Sequence, residues 1–212
     1  MGKIFFTSDT HFFHENVIRL DSRTFANMDE MLDSMLQKWN SKVSDQDTVY
    51  ILGDYTWKLD DPQIDYLKQL KGHKRIIQGN HCPRNPGCKY KDLFVSIKDY
   101  DEIKVPLDFG EVKKCVLSHY FIPLYNGHYH GNIMLYGHSH TTEESVVEEN
   151  YKSWLNAHGY PCLSYNVGCM RWNYEPVTLE EILKEESLQI PLALDDGMDS
   201  DKGRIYEYEM EK

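Results

Sequence analysis

Apolar residues in this chain come in short runs, and most runs end in a polar cluster. The first run, Ile4-Phe5-Phe6-Thr7, leads into Ser8-Asp9-Thr10-His11. It is too brief for a helix and rich in aromatic and branched side chains, so it predicts a buried strand. Residues 12–27 read as a loop that carries His14, Asn16, Arg19 and Arg23. The period then changes. Met31, Leu32, Met35, Leu36 and Trp39 recur at helical spacing and predict a helix over 28–43. Asn27 is its N-cap, Glu30 stands in capping-box position, and Asp29 and Glu30 suit the first turn of the dipole. A second strand over 48–52 runs into Gly53-Asp54. A helix over 61–71 follows, with Pro62 suited to its start and Gly72 to its stop. A third strand over 74–78 runs into Gly79-Asn80-His81. This β-α-β-α-β order predicts parallel strands whose ends lie at one edge of a sheet.

The second half has a different pattern. After a loop over 82–91, the segments 95–100, 103–109 and 112–117 alternate or run apolar and predict an antiparallel hairpin region. Its turn is either Gly110-Glu111 or a longer loop over 108–111. The last of these strands reaches Ser118-His119, and a further strand over 133–136 runs into Gly137-His138-Ser139-His140. Residues 143–149 read as an acidic surface stretch, 162–167 as a late strand and 179–187 as a short helix. The chain divides into one domain over 1–190 and an acidic tail over 191–212, which is sparse in aliphatic residues and carries at most a short strand at 204–208.

Composition narrows the class. With 212 residues, 41% hydrophobic and 27% charged, the chain suits one α/β domain with a substantial core. The net charge of -11 disfavours an extended nucleic-acid surface. Five cysteines, at 82, 88, 115, 162 and 169, form no Cys-x-x-Cys pair and read as reduced thiols. No signal-peptide pattern, myristoylation site or membrane-spanning apolar run is present, so a soluble cytoplasmic protein without membrane partners is expected.

Five strand-end motifs carry the candidate chemistry: Asp9-x-His11, Gly53-Asp54, Gly79-Asn80-His81, Ser118-His119 and Gly137-His138-x-His140. Each is weak alone. Together they bring carboxylate, amide oxygen and imidazole to a common sheet edge, an oxygen and nitrogen set that suits Mn²⁺, Fe or Zn²⁺ better than Ca²⁺. Alternate residues of an extended chain share a side, which would let Asp9 and His11 face one site. The glycines before the ligands would let the chain turn without a Cβ clash. His128-x-His130 imitates the last motif but sits in a loop, so a surface role or a place beside the substrate are both open to it. Substrate candidates are His14 and Asn16, close behind Asp-x-His, and Arg84, whose guanidinium could grip a phosphate. Tyr55 and Trp57 could wall a cleft or belong to the core.

In this order the five motifs resemble the pattern of the calcineurin-like metallophosphoesterases, over residues 3–140, and Asn166-Val167-Gly168 is similar to that family's closing strand. The resemblance implies an α/β fold, a four-layered β-sandwich of two mixed sheets flanked by helices, with the second sheet rich in antiparallel pairs. It also implies two divalent metal ions, with Mn²⁺ the first expectation and Fe, Zn²⁺ or Ni²⁺ the alternatives. Asp9, His11 and His140 would bind one ion, and Asn80, His119 and His138 the other. Asp54 would bridge them, and a shared water would be activated as hydroxide between them. His81, not a ligand in the pattern, would act as general acid or stabilise the transition state. The chain departs from the family at Cys82, where many members have Asp, and at Cys169-Met170-Arg171, where many have an Asp nearby. The implied activity is hydrolysis of a phosphomonoester or phosphodiester, on a small or nucleotide-like substrate. A nuclease of the same superfamily and a non-catalytic interaction scaffold of the same fold are the competing readings.

Overall fold

The computed structural model describes residues 2–57, 60–82 and 92–188, the side chains of 109 and 186–188 excepted. Arg84, the expected loop over 82–91 beyond its first residue, and the tail over 191–212 lie outside the described residues.

Two sheets stack face to face. The first contains β1 (Ile4–Thr7), β2 (Thr48–Ile51), β3 (His73–Ile77), β4 (Ser96–Lys98) and β9 (Val177–Thr178), in the order β4-β3-β2-β1-β9. All its pairings are parallel except β1 with β9. The second contains β5 (Tyr100–Pro106), β6 (Val112–Ser118), β7 (Ile133–Tyr136) and β8 (Ser164–Asn166) in sequence order. The helices are α1 (Glu15–Leu20), α2 (Met28–Lys42), α3 (Asp61–Gln69), α4 (Glu143–Ala157) and α5 (Leu179–Leu188).

Strand alternation explains the layering, because successive side chains leave opposite faces of a sheet. On one face of the first sheet, Phe5, Val49, Ile51 and Ile76 pack against Met31, Leu32, Met35 and Trp39 of α2 and Leu67 of α3. On the other face, Phe6, Tyr50 and Ile77 meet Cys115, Leu117, Ile133 and Leu135 of the second sheet. The outer face of the second sheet presents Val116, Met134 and Tyr136 to Leu155 of α4. Helix, sheet, sheet and helix thus form four layers, the architecture expected from the resemblance.

Several details differ from the expectation. The 95–100 segment does not join a hairpin: β4 pairs parallel with β3, and the chain changes sheets at Asp99, so within the expected hairpin region only β5 and β6 pair antiparallel. The second sheet is therefore not rich in antiparallel pairs, since β6-β7 and β7-β8 are parallel. The β5–β6 connection is the longer alternative, a 3₁₀ turn over Asp108–Gly110 closed by a bond from the Leu107 N–H to the Glu111 carbonyl. α1 occupies part of the expected 12–27 loop. The acidic stretch at 143–149 is the first half of α4, whose many exposed side chains hide the helical period. The two-residue β9 was too short to leave a pattern. Asn27 caps α2 as expected, accepting from the Glu30 N–H at 2.9 Å, while Glu30 reaches back to the Ala26 N–H instead of closing the box on Asn27.

Asp47, just before β2, ties three segments together. Its carboxylate accepts from the Lys3 N–H at 2.6 Å and from both the N–H and hydroxyl of Ser44 at 2.7 Å, while only 7% of the residue is exposed. Burial acts to raise its pKa, but the Ser44 and Lys3 hydrogen bonds outweigh it and lower the pKa from 3.8. We expect Asp47→Ala to cost about 1–3 kcal/mol in urea unfolding at pH 7, because two main-chain donors lose their partner. The depressed folded-state pKa means the carboxylate's contribution is full above the unfolded value of 3.8 and fades as pH falls through the folded value. The stability gap between wild type and variant should therefore close in acid; a gap that persists unchanged would show that ionisation of Asp47 is not its source.

Candidate metal centre

The polar ends of β1 and β2 stay paired after the strands stop. The N–H groups of Asp9, His11 and Phe12 donate to the carbonyls of Gly53, Asp54 and Tyr55 at 3.1, 2.9 and 2.8 Å. Neither loop is extended there. Asp9, His11, Asp54, His138 and His140 all have positive φ, at 55°, 47°, 48°, 71° and 49°. This corrects the extended-chain argument for Asp9 and His11, because left-handed turns bring the pair together. Each such residue costs on the order of 1–3 kcal/mol and persists only where the surroundings enforce it.

Side chains from five strand ends converge here. Ligand atoms of Asp9, His11 and His140 all lie within 4.8 Å of one another, and those of Asp54, His119 and His138 do likewise. His11 Nε2 is 3.2 Å from His140 Nε2, and His140 Nε2 is 3.6 Å from Asp9 Oδ1. Asn80 joins the second group, its Oδ1 2.9 Å from His119 Nε2. A single oxygen, Asp54 Oδ2, faces both groups, 3.9 Å from His11 Nε2 and 3.5 Å from His119 Nε2. Asp9, His11, Asp54 and His119 are buried, whereas Asn80 and His81 lie at the open rim.

The donor set fits cations. His119 Nδ1 lies 2.8 Å from the Leu52 carbonyl, which can only accept, so Nδ1 carries the proton. In the neutral ring, Nε2 would then aim a lone pair at two oxygens, an arrangement that needs a proton or a cation between them. Asp9 Oδ1 is buried without a hydrogen bond, which is costly unless a positive charge occupies its front. Burial acts to raise the Asp9 pKa, yet the His140 contact and the surrounding imidazoles hold it at about 2, so the carboxylate is ionised. Burial drives His11 down to about 3 and also lowers His138, leaving both as neutral imidazoles suited to ligation. Burial acts to lower His140 and His119 too, but carboxylates raise both: Asp21 and Asp9 carry His140 to about 9, and Asp54 and Asp9 act on His119.

The surrounding shell is equally specific. A Cβ on Gly79 would meet Asp54 Oδ1 at 2.2 Å, and one on Gly137 would meet Ser8 Oγ at 2.0 Å and Asp9 Oδ2 at 2.4 Å. Only Gly53, at φ 100°, serves the sharp turn expected of all three, and the other two make room for carboxylates. Cys82 Sγ lies 3.3 and 3.2 Å from the N–H groups of Asp54 and Gly79, and burial pushes its thiol up to about 12, so it supports the Asp54 turn as a neutral group. At the other departure from the family, Cys169 Sγ donates to the Asp9 carbonyl at 3.3 Å and Arg171 donates to the His140 carbonyl at 2.9 Å.

The remaining candidates separate. His14 stacks on Trp57 with ring centroids 4.2 Å apart, and Trp57 lies 5.4 Å from the His81 ring, so this wall stands beside the centre. Asn16 is exposed in the first turn of α1. Tyr55 belongs to the core. His128 bonds to the Pro161 carbonyl and packs on Tyr125 and Tyr129, apart from the donor cluster. Two neighbours carried no warning in the sequence. Tyr120 packs against His119 and His138, and Asp21 lies 3.2 Å from His140 Nδ1. Asp21 looks like any loop carboxylate until the loop is folded back.

An α/β sandwich with a two-part His, Asp and Asn cluster at its strand ends defines a metallohydrolase-type site. The calcineurin-like phosphoesterase model matches residues 2–188, and the chain belongs to that family. It is 31% identical over 186 residues to the uncharacterised protein MJ1445 of Methanocaldococcus jannaschii, covering 87% of this chain and 91% of that one. It is 32% identical over 166 residues to the gene 66 protein of Mycobacterium phage D29, covering 66% and 80%. In fold it resembles AQ665, a protein of unknown function from Aquifex aeolicus, with a TM-score of 0.65 at 24% identity, over 87% of this chain and all of that one.

Because a Cβ on Gly137 would press on both Asp9 Oδ2 and Ser8 Oγ, Gly137→Ala should weaken divalent-cation binding by about tenfold or more, titrated calorimetrically with Mn²⁺ as the probe, while the far-ultraviolet spectrum stays native. Unchanged affinity would show that the room Gly137 leaves beside Asp9 does not govern cation binding.

Proposed function

We propose that this chain is a phosphoric ester hydrolase that works with two divalent cations held side by side at the strand ends. One observation carries the reading: Asp54 Oδ2 faces both donor groups, the position of a bridging carboxylate. Asp9, His11 and His140 would hold one ion, and Asn80, His119 and His138 the other. The nitrogen and oxygen donors suit Mn²⁺ first, with Fe, Zn²⁺ and Ni²⁺ as alternatives. Bound there, such ions would supply Lewis acidity toward a phosphoryl oxygen and a lowered pKa for water.

The chain's own residues divide the remaining work. Asp54 Oδ1 accepts the His81 N–H at 2.8 Å, which fixes where the His81 ring leaves the loop. That ring is 5.6 Å from His11 and open to solvent, a place from which it can give a proton to a departing alkoxide. Trp57 and Tyr120, 43% and 46% exposed, flank the cluster on its His81 and His138 sides. Together with His14 they suit a small phosphate ester or a nucleotide-like substrate, whose planar group could lie on an aromatic face. Arg84 and Asn16 remain candidates for gripping the phosphate. The donor set keeps every position of the family pattern along with His81, which favours an enzyme over an interaction scaffold. The charge of -11 favours small esters over long nucleic acid.

Purified protein with Mn²⁺ should hydrolyse bis-p-nitrophenyl phosphate or p-nitrophenyl phosphate, and Asp54→Ala should abolish turnover. His81→Ala should lower kcat by about 10²–10⁴ with Mn²⁺ binding intact, as loss of a general acid requires. No turnover of either ester with Mn²⁺, Fe²⁺, Ni²⁺ or Zn²⁺ would sink the enzyme reading, and the ratio of the two rates assigns diester or monoester preference.

A further inference from the structure

Asp21 follows α1 directly, in a loop whose sequence shows no ligand pattern. Its side chain is nonetheless only 2% exposed. Oδ2 accepts from Arg23 Nε at 3.0 Å. Oδ1 faces His140 Nδ1 at 3.2 Å and is otherwise a buried oxygen with no hydrogen-bond partner. Arg23, whose side chain is fully buried, spends its other nitrogens on the carbonyls of Asp9 at 2.7 Å and Thr10 at 2.8 Å. The contacts close a ring: the Asp9 main chain holds Arg23, Arg23 holds Asp21, Asp21 faces His140, and His140 Nε2 returns to the Asp9 carboxylate.

We infer that Asp21 is a positioning residue for the candidate metal centre, a buried carboxylate that keeps the proton on His140 Nδ1 by accepting from it and so presents Nε2 to the ion shared with Asp9 and His11. This rests on the two-cation reading above. A carboxylate behind a ligating imidazole fixes its tautomer and ring angle and raises its basicity, and losing such a partner commonly costs 10–100-fold in metal affinity. The four histidines of the cluster differ in this respect. His119 has a neutral carbonyl behind its Nδ1, the buried Nδ1 of His11 has no hydrogen bond, and His138 has only the exposed Glu144 carboxylate 3.9 Å from its Nε2, so among the described residues His140 is the one whose Nδ1 faces a buried carboxylate. Arg23 makes the arrangement affordable. It neutralises Asp21 in the interior and locks the carboxylate plane, so little conformational freedom remains to be lost when an ion binds.

The alternative is a purely structural role, in which Asp21 and Arg23 only staple the loop after α1 to β1. A double-mutant cycle separates the two. Metal-free full-length protein is titrated with Mn²⁺ by calorimetry as wild type, Asp21→Ala, His140→Ala and the double variant, and thermal unfolding of each metal-free form is recorded alongside. If Asp21 acts through His140, Asp21→Ala weakens one of two sites 10–100-fold and spares the other, His140→Ala weakens the same site, and the double variant is no weaker than His140→Ala. Weakening of both sites alike, additive losses in the double variant, or unchanged affinity with a lowered unfolding temperature would overturn the proposal. Should Asp21→Ala fail to fold, near-isosteric Asp21→Asn serves in its place: a loss at the one site, smaller than that of His140→Ala, supports the role, and wild-type affinity refutes it. A wild-type chain that binds no Mn²⁺ would overturn the two-cation reading itself, a result distinct from two intact sites indifferent to Asp21.

Discussion

The centre depends on how Asp9 is held. Its N–H donates to Gly53 after β2, and its carbonyl accepts from Arg23 and Cys169. One carboxylate oxygen accepts the His138 N–H at 3.0 Å, reaching the end of β7 in the opposite sheet. The other oxygen has no hydrogen bond and faces the cluster. A single buried residue therefore joins the two sheets at the edge where the chemistry sits. Apolar packing between the sheets sets their separation, but it has no direction. The directed bonds of Asp9 are what align one strand-end loop with another.

That arrangement has an electrostatic cost that the rest of the site offsets. Asp9 and Asp54 are ionised in the interior, and an isolated buried carboxylate would neutralise itself rather than stay charged. Surrounding imidazoles and main-chain donors keep both pKa values low. The same carboxylates raise His140 to about 9 and raise His119, so imidazole protons offset part of the buried negative charge. The same oxygens and nitrogens are the atoms that would face a bound cation.

Backbone strain follows from the same constraint. Five of the seven candidate ligands sit at positive φ. Regular strand geometry would send neighbouring side chains to opposite faces, and none of the sharp reversals would be stable in an isolated peptide. Main-chain pairing between the β1 and β2 loops, the neutral thiol of Cys82, and the absence of a Cβ at Gly79 and Gly137 together hold conformations that no one of them could.

Local pattern was enough for strands β1 to β3 and β5 to β8, the helices α2, α3 and α5, and the five strand-end motifs, because these depend on hydrophobic period and on residue type at a run's end. It also named each donor that now lies in the cluster. It was not enough for α1, for α4 with its mostly exposed face, or for the two-residue β9, where tertiary contact and not local preference makes the element. The departure of β4 from the expected hairpin belongs here as well, since a short strand pairs with whichever edge the fold presents. Why Asp9 and His11 face one point, why Gly79 and Gly137 must be glycine, and why Asp21 matters were decided only in three dimensions. Each depends on a φ angle that no local preference favours or on a partner distant in sequence, 25 positions away for Gly79 and more than 100 for Gly137 and Asp21, and such pairings exist only once the strands have assembled into the two stacked sheets.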